Sequence, residues 1–420
     1  MSCLRWTGPA RVALAPACMW VLGMVAASRA IAARAPSLHD AVQAAWTLAP
    51  DSYALDGQRG EAAARARAAR AFFPGAPYAT GEYFDDHLIG SNQGYTTYQG
   101  ELATPLWLPG EGTATERSAQ ADLLHLSQQG EAMRLELARQ VLEQATAGEF
   151  AADNRAVAAR RVQAARQLQD IVSHAVGTGE APGIDAEAAQ AALGSAQIAL
   201  SDAEAQLAGA QGSLVALTGS AELPDLTANP AVLAADRTLP GAEQLERDPR
   251  VASAHRELEA AEAALRLVRV ADRDDPEVGI EGIHEKQFGS PWDNRVGVML
   301  KVPFGSTARN LPRIAAATAR LNTAEARLLQ QRRLVAIGLQ QALARLRAAR
   351  ANRSAAATVA RELDGRAVEV VRAWHVGEMP LIEATRAQTA AFDADLAARR
   401  ASTMLQAAQW QVALAEGVLP

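Results

Sequence analysis

The side chains with the most coordinating chemistry in this 420-residue chain stand in two short clusters, Asp85-Asp86-His87 and His284-Glu285. Each sets an imidazole beside carboxylates. Imidazole suits transition metals and carboxylates suit harder cations, so together the clusters would offer a weak site for a divalent ion. The ordinary reading of both is a solvated strand end. His174 and His375 take the same ordinary reading, and no histidine pair has the spacing of a metal site. Catalysis finds no foothold. The chain has no Gly-x-x-x-x-Gly-Lys-Ser/Thr, no Gly-x-Ser-x-Gly and no His-Glu-x-x-His. The expectation is a protein that is not an enzyme and needs no cofactor.

A second pattern occurs twice. Gly179-Glu180-x-Pro182 returns as Gly377-Glu378-x-Pro380, and Pro50, Pro77 and Pro105 return as Pro249, Pro276 and Pro303. The offset is about 198 residues at each landmark, which is the mark of one internal duplication. Gly-Glu-x-Pro is sound turn chemistry: glycine supplies positive φ after a helix and proline begins the next one. Asp185 and Glu383 follow one turn later at corresponding positions, where acids favour a helix N-terminus. Arg386, three residues beyond Glu383, has Ala188 as its counterpart and is placed to pair with Glu383.

These residues need elements to hold them. Ser37–Phe73 has a helical pattern with Ser37 as its cap, stopped by Phe72-Phe73-Pro74-Gly75. Tyr78–Leu88 and Tyr95–Leu106 are rich in Tyr, Thr and Phe and read as a strand hairpin. Glu116 to about Ala175 lacks proline and reads as one rod of roughly 90 Å. A return helix spans about Asp185–Leu217, where Leu193, Leu200, Leu207 and Leu214 keep the seven-residue spacing of a coiled-coil seam. The second copy repeats the plan. A helix covers about Glu243–Val270, strands Glu277–Glu285 and Arg295–Pro303, a long helix about Pro312–Ala373, and a return helix ends near Ala415. Val296, Val298, Leu300 and Val302 alternate with Gly297, Met299 and Lys301, giving one apolar face.

The organisation expected is therefore 1–35 as a secretory signal, 36–220 as the first repeat, 221–242 as a linker and 243–420 as the second repeat. Arg5 and Arg11 precede an apolar run, with small-residue cleavage options after it. Cys3 and Cys18 both fall in that segment, so the mature chain would hold no disulfide, and Pro16-Ala17 is a poor context for lipidation at Cys18. Hydrophobic residues make up 49% of the chain, much of it alanine, and aromatics only 5%. That composition favours extended helices packed side by side over a thick core. The net charge of −6 argues against nucleic acid as a partner.

The fold class is mainly α with a small β part: two long coiled-coil hairpins and four strands per chain. Strands of about ten residues have the length to cross a membrane. Four cannot close a barrel, and open edges are not tolerated in lipid, so several chains would have to join.

The whole mature chain, about residues 36–418, resembles the TolC family of outer-membrane efflux ducts. The resemblance rests on the duplicated order of helix, strand hairpin, long helix, Gly-Glu turn and return helix. It rests also on Pro-Phe-Gly-x-x-x-Arg-Asn at 303–310 and on Asp272-Arg273-Asp274-Asp275-Pro276 before the third strand. The heavy-metal, CzcC-like branch looks nearest. The resemblance implies a homotrimer in the outer membrane, with a 12-stranded β-barrel on a long periplasmic α-barrel. It implies passive export of small substrates, heavy-metal cations among them, with a periplasmic adaptor and an inner-membrane pump as partners. By the same resemblance Gly179, Glu180, Pro182, Gly377, Glu378 and Pro380 would form the tips that meet the adaptor. Asp185 and Glu383 would ring the lumen as a cation-attracting gate, with Arg386 standing where the family has a second acid. The alternatives are a periplasmic adaptor and a coiled-coil scaffold without a pore.

Overall fold

The structure, a computed structural model, describes residues 35–87, 89–90, 92–227 and 245–420. The expected leader with Cys3 and Cys18, and most of the expected linker, lie outside the described residues.

Among the described residues the first two elements are helices, α1 (Leu38–Leu48) and α2 (Pro50–Ala68). The Ser37 hydroxyl accepts the Asp40 N–H at 3.2 Å and the Asp40 carboxylate accepts the Ser37 N–H at 3.1 Å, a reciprocal cap. The single helix expected here is two, because Pro50 keeps Ala49 extended (ψ 125°) and then serves as the first residue of α2. Strands β1 (Tyr78–Asp85) and β2 (Thr96–Pro105) follow. Then come α3 (Glu111–Gly177), α4 (Gly183–Thr218) and α5 (Pro249–Val270). Strands β3 (Glu277–Lys286) and β4 (Asp293–Lys301) lead into α6 (Thr307–His375) and α7 (Leu381–Ala415). Helices α3 and α6, of 67 and 69 residues, are rods of about 100 Å. Val302 and Pro303 fall outside β4, and Pro312 lies inside α6 rather than at its start.

The helices form a wall. Each long helix pairs with its return, α3 with α4 and α6 with α7, and the hairpins join through α3 against α7. Helices α4 and α6 are left on the two flanks. The join between hairpins is ionic where the wall is thin. Arg160 pairs with Asp395, Arg161 with Asp393, and Arg399 reaches both Asp153 (3.6 Å) and Asp395 (3.2 Å). Nearer the sheet it is apolar. Leu38, Val141, Leu142, Leu339, Val412 and Leu414 pack together, and the Trp410 indole N–H donates to the Leu226 carbonyl at 3.2 Å. Each fully buried side chain of this size contributes about 1.5–3 kcal/mol. The expected leucine seam of α4 is buried at its ends, Leu193 and Leu214, and half-buried at Leu200 and Leu207.

The four strands make one antiparallel sheet in the order β1-β2-β3-β4. Its register joins the copies: Thr80, Glu101, Glu281 and Gly297 lie in one row across the sheet, as do Tyr83, Tyr98, His284 and Asn294, on alternate sides.

Candidate functional site

The sheet sorts chemistry by face. On β2 the residues Tyr98, Gly100 and Leu102 are exposed, while Thr97, Gln99 and Glu101 are half-buried and Ala103 is buried; β3 repeats this with Gly279 buried. The sheet therefore curls toward the second face. The register puts Ala79, Gly81, Leu102, Ile280, Val296 and Val298 together on the convex face, with no charge between its two ends. At one end of that face Tyr83 and Tyr98 lie 5.0 Å apart, and His284 stacks on Trp292 at 4.2 Å and 5°. An apolar band bordered by aromatic side chains suits a lipid interface.

The concave face carries Glu82, Glu101, Glu277, Glu281, Glu285, Asp293, Arg295 and Lys301. Lys301 pairs with Glu277 at 3.0 Å, and Arg295 pairs with Glu285. The Gln99 amide donates to Glu281 at 2.6 Å. Glu101 stands directly opposite Glu281, and one Glu101 carboxylate oxygen is shielded from solvent with no hydrogen-bond partner. Like charges directly opposed across strands destabilise an isolated sheet. Glu82, Glu101 and Glu281 thus leave the concave face acidic.

The two coordinating clusters do not converge. Strand β2 lies between β1 and β3, so their backbones are about 10 Å apart. Asp85, Asp86 and His87 do bring their ligand atoms within 4.8 Å of one another, but those atoms are engaged. Asp86 accepts the backbone N–H groups of Gln93 (2.7 Å), Gly94 (3.1 Å) and Tyr95 (2.9 Å), which closes the β1–β2 loop. His87 bonds to the Asp85 carboxylate, which holds its imidazole above the usual value. His284 bonds to Asn294 at 2.7 Å. The joint site envisaged from the sequence is two separate loop and strand-end fastenings.

At the far ends of the rods the two Gly-Glu turns have one geometry. Gly179 (φ 78°) and Gly377 (φ 81°) occupy the left-handed conformation that glycine permits. The Glu180 N–H donates to the Ala175 carbonyl at 2.8 Å and the Glu378 N–H to the Ala373 carbonyl at 2.9 Å, the long bond of a Schellman cap. Pro182 and Pro380 are the N-cap residues of α4 and α7. Both turn glutamates are exposed. His174 lies in the last turn of α3, and His375 closes α6. Asp185 and Glu383 lie in the first turns of the return helices. Arg386 pairs with Glu383 at 2.8 Å, so that carboxylate is partly neutralised within its own helix while Asp185 has no such cation beside it.

The motif after β4 acts as a clamp. Arg309 pairs with Asp274, the Asn310 amide donates to the Asp272 carbonyl, and Arg313 donates to the Ala271 carbonyl at 3.1 Å. The chain leaving the sheet is thereby tied to the chain entering it. The opposition of Glu101 to Glu281 was not anticipated from the sequence. The alternations Gln99-Gly100-Glu101 and Glu281-Gly282-Ile283 carried its signal, but the pairing between them did not show.

No protein-family model and no curated protein matches the chain. Solved structures do. A membrane protein from Pseudomonas aeruginosa is 21% identical with a TM-score of 0.72, over 91% of this chain and 90% of that one. CusC, described for its folding and transmembrane channel formation, is 18% identical with a TM-score of 0.73, over 91% and 92%. The Campylobacter jejuni CmeC outer membrane channel is 15% identical with a TM-score of 0.71, over 90% and 85%. At these identities the likeness establishes the fold: this chain has the fold of channel proteins of the outer membrane. Among the described residues no helix is long and apolar enough to cross a membrane.

Proposed function

We propose that this protein is a member of the TolC family and the outer-membrane exit duct of a tripartite efflux system. Three copies close a 12-stranded barrel in the outer membrane above a long periplasmic α-barrel. The observation that carries the reading is the sorting of the sheet: a convex face uncharged between its ends, a concave face holding the charges, and two unpaired edges. An edge in lipid must be paired. Because the meander has four strands, β4 of one copy runs antiparallel to β1 of the next, and the alternation continues around a ring. A pore-free scaffold or a soluble adaptor has no use for such a convex face.

The duct is passive. Substrate enters between the helical tips, where an adaptor engages Gly179, Glu180, Pro182, Gly377, Glu378 and Pro380 and an inner-membrane pump supplies the energy. Asp185 and Glu383 line the entrance, with Arg386 moderating the second copy's acid. The acidic excess of the concave face favours cations, heavy-metal ions among them, as substrates.

The deciding experiment is to express the full chain, separate inner and outer membranes, and measure the mass and conductance of the detergent-extracted protein. A trimer from the outer membrane that opens an ion-conducting pore supports the reading. A soluble monomer overturns it. A deletion strain sensitised to drugs but not to metals would overturn the metal assignment alone.

A further inference from the structure

The two flank helices of the wall are opposite in charge. Helix α4 contains Asp185, Glu187, Asp202 and Glu204 and no basic residue. Helix α6 carries thirteen arginines against four acids. Among the described residues Arg347, Arg350 and Arg366 have no acidic partner and Glu187 has no basic one, while Glu204 has one long, exposed pair with Arg155 of α3 at 3.8 Å. In addition, α6 is exposed at residues 351–355 and 357–359. Ile198 on α4 and Val359 on α6 are large apolar side chains left in solvent.

The duplication states what such a flank should meet. Within one chain, α3 of the first copy packs on α7 of the second. The equivalent contact for the remaining pair is α6 of one chain on α4 of the next. The known seam also calibrates heights. Arg399 stands 18 residues beyond the start of α7 and Asp153 stands 24 before the end of α3, and they are 3.6 Å apart. Asp393, 12 beyond, pairs with Arg161, 16 before. On the flanks, Glu204 is 21 residues beyond the start of α4 and falls level with a point 27 before the end of α6. Arg347 and Arg350 bracket that point. Glu187, 4 beyond, falls level with Arg366, 9 before. Between these charged points the 198-residue shift carries Asp153 to Ala351, Arg160 to Thr358 and Arg399 to Ser201. Ion pairs of the inner seam become small side chains that allow close helix approach.

We propose that α4 of one chain docks on α6 of a second copy of this chain, with Glu204 between Arg347 and Arg350 and Glu187 on Arg366. The inner seam mixes polarities, with Asp153 of the long helix on Arg399 of the return helix but Arg160 and Arg161 of the long helix on Asp395 and Asp393 of the return helix, whereas the flank seam puts every base on the long helix. The contact is head-to-tail, the kind that builds a ring when its rotation closes. This inference rests on the assembled duct proposed above and names the surface that assembles it.

The test uses the full chain extracted in detergent, with mass measured by light scattering. E204R/E187R and, separately, R347E/R350E/R366E are expected to move the mass from trimer to monomer. Combining the two sets is expected to restore the trimer. As a second measure, E204C/R350C in a C3S/C18S background, treated with a short bismaleimide, is expected to give linked dimers and trimers on a denaturing gel. D153C/R399C, which spans the inner seam, should link within one chain and run as monomer. A wild-type trimer that survives both charge reversals, with E204C/R350C giving only monomer, overturns the seam and leaves the duct standing. A wild-type protein that is itself monomeric overturns the duct reading and the seam with it. If the reversed variants fail to fold, the cysteine pairs alone decide.

Discussion

Glu180 and Glu378 occupy a position whose side chain the turn does not use. The cap is closed by their backbone N–H groups, glycine supplies the left-handed residue before them, and proline starts the next helix. Any residue but proline at the glutamate position could donate the same backbone bond. The repeated acid is therefore best accounted for by a partner outside the chain. E180A/E378A is expected to change the unfolding free energy by no more than about 0.5 kcal/mol, as is typical of surface changes, and so to leave the thermal midpoint nearly unmoved. It is also expected to abolish co-purification with the cognate adaptor. A variant that melts early would assign the glutamates to the turn instead. This much was legible in the sequence, because a turn is a local object and its residues are adjacent. Asp85-Asp86-His87 shows where adjacency misleads. Three ligand-type residues in a row read as coordination, yet Asp86 holds the backbone of residues 93–95, and that loop closure has no signature in the triplet itself.

At the scale of elements, the strands depend on close approach at a single glycine. Gly279 on β3 lies opposite Ala103 on β2, and a Cβ built there would sit 2.8 Å from the Ala103 Cβ and 2.9 Å from the Leu102 carbonyl oxygen. A backbone carbonyl cannot move aside as a flexible side chain can. G279A should separate β2 from β3 at the third row from the helix end of the ladder, at a cost of about 1–3 kcal/mol. The expected readout is a lower melting temperature of the detergent-extracted protein, with helical circular dichroism unchanged before melting. G282A makes a strict control, because a Cβ at Gly282 meets nothing within 4 Å. Equal losses from both variants would show that glycine acts here through strand flexibility rather than contact. The positions of strands and rods were readable from alternation, proline placement and the duplication, to within a few residues. Their register was not. Glu101 and Glu281 are 180 residues apart, and nothing periodic in either strand says which rung faces which. The inter-hairpin pairs Arg160–Asp395 and Arg161–Asp393 were hidden for the same reason.

For the whole molecule, the consequence of that register is electrostatic. One chain alone gives a curved sheet whose concave face has Glu277 paired with Lys301, has Glu285 and Asp293 sharing Arg295, and leaves Glu82, Glu101 and Glu281 without a basic partner. In the proposed trimer, three copies around an axis would repeat those acids at common heights in a lumen with low-dielectric walls, which would concentrate cations. The opposition of Glu101 and Glu281 disfavours a flat isolated sheet, and a cation passing between them relieves it. E101Q/E281Q keeps shape and hydrogen-bonding capacity while removing two charges per chain. In a bilayer with a potassium chloride gradient, the wild-type pore is expected to reverse at a potential of the cation-selective sign. The variant is expected to reverse nearer zero, with the difference largest at about 0.01 M salt, where the Debye length of about 30 Å exceeds the lumen radius, and small at 1 M, where it is about 3 Å. E383Q at the tip tests the rival location: a shift there with none in E101Q/E281Q would place selectivity at the periplasmic entrance and leave the barrel a neutral exit.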